Sequence, residues 1–229
     1  MGRPAHYSLD IVARCRELIE RLEPVVRNGA PGDDKHGGPL TTTFLLAMAT
    51  PMIGLPIERI FKAKEADLVA DDSDLNEGLS QEVHRVLGGK LKFEEAAFSK
   101  GIDWRLVRNV APFNTAVWEA THHFDELSHD DARVTANRTP ADFMIRHVRN
   151  ALAHGGIVYL DGKGRMSDSR AEMLGFVSSK KDHKSQKVTG LHISRVSEAD
   201  FRRFLLAWAD WIANSGVAED LSNGPPLAA

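Results

Sequence analysis

The chain changes period at Gly155-Gly156, and that change constrains its fold more than any other feature. Up to His154, apolar residues mostly recur at three- and four-residue spacing, the period of helices packed by one face. Directly afterwards Ile157-Val158-Tyr159-Leu160 forms a short β-prone run, and Asp161-Gly162-Lys163-Gly164 reads as a turn. Met173 to Val177 and Val188 to Ile193 are two further strand candidates. Helical spacing returns after Ser197, where Phe201, Phe204, Leu205, Trp208 and Ile212 form an apolar stripe that reads as core rather than as a cofactor site. The expectation is a mainly α fold, a helical bundle with a small antiparallel β insertion between its motif helix and its last helix.

Other elements follow from the same periodicity. A first helix runs from Ser8 to Arg27, with Pro24 disturbing its last turns. Thr41 to about Ile53 is apolar nearly all round, which marks a central helix, and Pro56 to Phe61 opens another. Helical segments are expected over Leu75 to Leu87, Phe93 to Ser99, Asp103 to Val107 and Pro112 to Phe124, and a polar loop over Asp125 to Arg138. The helix over 140–154 starts with Thr139 as its cap, Pro140 in its first turn and Asp142 as the capping-box acid, and it stops at the glycine pair. One domain is expected over 1–215, with the β insertion at about 157–195, a last helix over 198–213 and a flexible tail over 216–229.

Composition narrows the function classes. With 229 residues, 42% hydrophobic and 27% charged, the chain can bury a substantial core. A net charge of -3 argues against coating nucleic acid by bulk charge, though not against a local basic groove. One cysteine, Cys15, leaves no internal disulfide and no thiolate-rich zinc site, which suits a reducing cytoplasm. No signal peptide is visible, and the most apolar stretch, Phe44 to Ile57, reads as too short to span a bilayer, so no membrane is expected. Phosphate-loop, dinucleotide-binding and nucleophile-elbow patterns are missing, and no cofactor is implied.

The segment Arg146-His147-Val148-Arg149-Asn150-Ala151-Leu152-Ala153-His154 concentrates the chemistry. On a helix, His147, Asn150 and His154 fall on one stripe, while Met144, Val148, Ala151 and Leu152 form the buried side. Arg149 projects from the flank of that stripe. Histidine exchanges protons near neutrality, its unperturbed pKa being about 6.5, and arginine stays charged and pairs with phosphate oxygens. Such residues can exchange a proton and stabilise a developing anion.

Arg149-Asn150-Ala151-Leu152-Ala153-His154 resembles the Arg-Asn-x-x-x-His motif of the HEPN superfamily (higher eukaryotes and prokaryotes nucleotide-binding domains). The wider pattern is similar to a plasmid- and phage-associated HEPN group: the apolar helix from Phe44, then Leu55-Pro56-Ile57-Glu58-Arg59-Ile60, the motif with its glycine stop and strand, and finally Phe201 to Trp211. The resemblance implies a metal-independent endoribonuclease, a toxin or defence effector, leaving a 2′,3′-cyclic phosphate and a 5′-hydroxyl. It implies His154 as acid-base group, Arg149 as charge stabiliser and Asn150 as positioning residue. It further implies a homodimer in which two motif helices meet, and an antitoxin protein as a partner. No role for Glu58 or Arg59 comes with it.

Other features stay open at this level. His147 is either a substrate contact, a support behind the residues that touch substrate, or a solvated surface histidine, and Arg146 is a candidate substrate contact. Lys180, Lys181, Lys184 and Lys187 either meet RNA phosphates from a hairpin loop near the motif or form a solvated run. His122-His123 with His129-Asp130-Asp131 has the ligand types for a metal but lacks an i,i+4 histidine pair, so surface polarity is the stronger reading. The competing functions are a non-catalytic RNA-binding or protein-partner module and, behind it, a metal-dependent hydrolase at that cluster.

Overall fold

Side-chain alternation along four strands decides the layering. In the computed structural model, which describes residues 7–62, 77–120, 123–182 and 184–223, one antiparallel sheet has the order β1-β4-β3-β2. Its strands are β1 (Arg105–Val110), β2 (Ile157–Leu160), β3 (Met173–Lys181) and β4 (Val188–Ser197). The register puts Leu106, Leu174, Phe176 and Val196 on one face, and Val158, Val177, Leu191 and Ile193 on the other. Each set belongs to a separate hydrophobic cluster, so the sheet is buried on both sides.

The larger cluster lies under α1 (Tyr7–Arg27), α2 (Thr41–Pro56), α3 (Glu77–Leu87), α6 (Ala141–His154) and α7 (Glu198–Asn223). Aromatic residues fill it: Phe98 meets Trp208 and Trp211 at 4.9 and 5.0 Å between ring centres, and Trp104 meets Phe204 at 5.4 Å. The smaller cluster is covered by α4 (His123–Ser128) and α5 (Asp130–Arg138), which bring Leu127 and Ala132 onto the second face. The fold is thus mainly α with a small antiparallel sheet, as expected, but the sheet is a central layer.

The structure departs from the sequence reading at several elements. Asp103 to Val107 was expected as helix; instead Arg105–Val110 is a strand, paired with β4 residues more than eighty positions away. Asp125 to Arg138, expected as loop, forms α4 and α5, because Ala132 and Ala136 suffice to bury one side of a polar helix. Thr139 does not cap α6: its hydroxyl donates to the Thr135 carbonyl at 2.7 Å and closes α5, leaving Pro140 at the cap of α6. Asp142 pairs with Arg146 instead of completing a capping box. Ser197 does cap α7, accepting from the Asp200 amide at 3.0 Å, and α7 continues past Gly216 into the stretch expected as tail.

α2 and the single π turn after it, Ile57–Phe61, together make one stretch that is long and apolar enough by composition to cross a membrane, contrary to the shorter span expected. Leu45, Ala49, Met52, Ile53, Ile57 and Ile60 on this stretch are all buried in the larger cluster.

Candidate functional site

The sequence that ends α6 also shapes the site. Gly155 adopts φ 70°, the left-handed conformation that closes a helix, and its amide donates to the Ala151 carbonyl. Gly156 then lies so close to β3 that an added Cβ would stand 2.0 Å from the Val177 carbonyl oxygen. Its own carbonyl accepts from the Val177 amide at 2.7 Å. The glycine pair therefore pins the end of α6 to the sheet while leaving the last turn of the helix at the surface.

Three motif residues occupy that last stretch. His154 is exposed, and no described residue hydrogen-bonds its imidazole. Arg149 is half-buried and held from two sides: Nη1 donates to Asn150 Oδ1 at 2.9 Å, and Nη2 to the Glu58 carboxylate. Glu58 also meets Lys62 Nζ at 3.0 Å. Five residues at 100° each leave Arg149 and His154 roughly 140° apart around the helix axis. Asn150 thus steadies the guanidinium, not the imidazole, and Arg149 is turned toward α2's end. Arg149, Glu58, Leu152 and Ala153 line a cavity of about 360 Å³ with Thr50, Pro51, Gly54 and Leu55.

Glu58 is the residue sequence reasoning missed as a contributor. The signal was its place in the resembling segment, but its partner lies 91 positions away. A one-turn π-helix sets its direction, and such turns are frequent where a helix carries a functional side chain.

His147 corrects an expectation. It is 2% exposed, so neither substrate contact nor solvated surface describes it. Nδ1 lies 2.6 Å from Ser178 Oγ and Nε2 2.9 Å from Ser194 Oγ, so the ring bridges α6 to β3 and β4. Burial, and secondarily the neighbouring His192, push its pKa down to about 3. The stripe that joins His147, Asn150 and His154 on paper is covered by the sheet at one end and open at the other.

The remaining candidates are dispersed. Arg146 is exposed and paired with Asp142. Lys180 and Lys181 end β3, and Lys184 and Lys187 stand exposed on the turn beyond. Val177 marks where β3 meets the glycine stop, and Lys181 is four residues further, on the order of 13 Å along the strand. Those lysines are not gathered around His154. Of the histidine–aspartate cluster, His122 lies outside the described residues, and His123 Nδ1 faces Glu126 at 3.5 Å. Among the described residues no group of three or more metal-ligating side chains is placed to hold an ion.

The comparisons with known proteins meet this geometry at the family level. No curated protein and no solved structure matches the chain. The family model described as HEPN pEK499 p136 matches residues 1–217, which takes in the motif helix, Glu58 and the whole sheet. The chain therefore belongs to the HEPN family, in its pEK499 p136 group, and is a nucleotide-binding or RNase-like domain.

Proposed function

We propose that this protein is a metal-independent endoribonuclease in which His154 moves the proton and Arg149 stabilises the phosphorane. The observation that carries the reading is the contrast on the last turns of α6: an exposed imidazole with no hydrogen-bond partner among the described residues, and a guanidinium already oriented by Asn150 and Glu58. An imidazole at the surface can serve both halves of the reaction, removing the 2′-hydroxyl proton and protonating the 5′ leaving oxygen. A guanidinium fixed in advance reorganises little when charge develops on the phosphate oxygens.

The two groups of one chain diverge around the helix, so one copy offers half a site. In this reading a homodimer brings the His154 end of one α6 against the Arg149 end of the other, and two imidazoles and two guanidiniums then surround one phosphate. The role of toxin or defence effector, restrained by an antitoxin protein, goes with that activity. Incubation of the protein with single-stranded RNA in EDTA tests it. The expected result is cleavage leaving 2′,3′-cyclic phosphate ends, lost in both His154→Ala and Arg149→Ala; cleavage retained by either variant overturns the assignment.

One observation favours a second reading, a non-catalytic RNA-binding or partner module. Glu58 already neutralises Arg149, as a purely structural ion pair would. RNA binding without cleavage between pH 6 and 8, by a protein whose dimer is intact, would select that reading.

A further inference from the structure

Beyond the buried His147, the stripe that carries Asn150 and His154 reaches a second group of residues toward the start of α6. At 100° per residue, Phe143 lies within roughly 20° of each of them, on the order of 10 Å from Asn150 and 16 Å from His154 along the axis. Phe143 is half-buried, and its ring is covered by the Arg108 guanidinium, 4.1 Å from the ring centre. His192 meets the same ring edge-on at 4.9 Å and 80°. Arg108 stands on β1 directly opposite His192 on β4, and is exposed.

Local backbone geometry aims these groups. The register of β1 slips between Arg108 and Val110, and Asn109 takes φ 61° there. That bulge turns Asn109 Oδ1 toward β3, where it accepts from Lys180 Nζ at 2.9 Å. Two cations are thereby drawn to one spot. Neither is paired with a carboxylate among the described residues, whereas Arg105, Arg146 and Arg149 nearby are paired with Asp103, Asp142 and Glu58. The uncompensated charge is felt locally: burial first, then Arg108 and Lys180, push the His192 pKa down to about 4.

We propose that Arg108, Phe143 and Lys180 form a subsite for single-stranded RNA, in which a nucleobase stacks on the outer face of Arg108 and Lys180 meets a neighbouring phosphate. With its Cζ 4.1 Å over the phenyl ring and its residue exposed, the Arg108 guanidinium leaves the side away from the ring open to solvent, and base stacking on arginine planes is a general mode of RNA recognition. The subsite rests on the RNA reading of the motif and deepens it: a strand with its scissile phosphate at His154 would extend along the exposed side of α6, a few nucleotides, to reach Arg108. His192, kept neutral, fills the floor without adding charge.

Binding is read separately from cleavage. The probe is a fluorescein-labelled single-stranded RNA 12-mer of mixed sequence, titrated by anisotropy against full-length His154→Ala protein. Arg108→Ala on that background is expected to raise Kd about tenfold, and Arg108→Lys nearly as much, because lysine keeps charge and loses the plane. Lys180→Ala is expected to cost about threefold and to flatten the salt dependence. Unchanged affinity in Arg108→Ala overturns the subsite while cleavage tests on Arg149 and His154 stand. Affinity preserved by Arg108→Lys but lost in Arg108→Ala overturns the stacking and leaves a phosphate contact. Failure of the His154→Ala protein to bind the probe overturns the subsite outright; cleavage retained in Arg149→Ala defeats the nuclease reading without touching the anisotropy result.

Discussion

The middle and the last turn of α6 have similar residue types and opposite fates. At one, His147 is sealed between Ser178 and Ser194 and is held neutral by burial. At the other, His154 sits seven residues on, near the same helical stripe, exposed and without a partner among the described residues. What separates them is the sheet: β3 and β4 cover the middle of the helix, and Gly156 brings the chain onto β3 only after the last turn has emerged. A histidine's chemistry here is set by the layer above it, not by its place in the motif.

The sharpest break of that comparison is substitution of the open end. His154→Ala and Arg149→Ala are expected to lower single-turnover RNA cleavage by about a thousandfold each, the usual scale for losing an acid-base group or an anion stabiliser. The His154 variant should melt with the parent, since its side chain contacts no described residue by hydrogen bond or ion pair. At the covered middle the same substitution should do the reverse. His147→Ala leaves two buried hydroxyls without their partner and a cavity beside them. We expect a loss of about 3 kcal/mol in urea unfolding, with cleavage per folded molecule little changed.

Acid should reveal the same asymmetry. A histidine held down at about 3 in the folded state, against about 6.5 unfolded, leaves the unfolded chain with more bound protons between those values. Stability is therefore unaffected by this group above about pH 6.5 and falls as pH drops below it. From pH 7 to pH 5 the loss from His147 is about 2 kcal/mol, and His192, pushed down to about 4, adds in the same direction. Urea midpoints across that range check it; His147→Gln should flatten the slope, and an unchanged slope would show that another group titrates.

Much of this was legible from local chemistry and little of it from distant pairing. The end of α6, β2, the starts of β3 and β4 and the Ser197 cap all rest on residues within a few positions of one another, and they stand where the sequence puts them. Arg105-Leu106-Val107-Arg108 carries no clear alternation of its own, and pairing with β4 makes it a strand. The site divides in the same way. Arg149, Asn150 and His154 lie within the last two turns of one helix, where local spacing alone brings them to notice. The burial of His147 depends on Ser178 and Ser194, 31 and 47 positions away, and the orientation of Arg149 on Glu58, 91 away. No helical projection contains those distances.

The smallest expected effect is the most discriminating, because it concerns Glu58 alone. Its carboxylate orients Arg149 and also opposes any phosphate that approaches the same guanidinium. Glu58→Gln keeps an acceptor for Arg149 and removes the charge, so RNA should bind about threefold tighter while the rate at saturation falls about threefold, as orientation loosens. Glu58→Ala removes both and should lower the saturating rate about tenfold with the same gain in affinity. A KM and a kcat that fall together identify a residue that acts through Arg149. If both variants bind and cleave as the parent does, the pair is an ordinary surface ion bridge of less than about 1 kcal/mol, and the open end of α6 works without it.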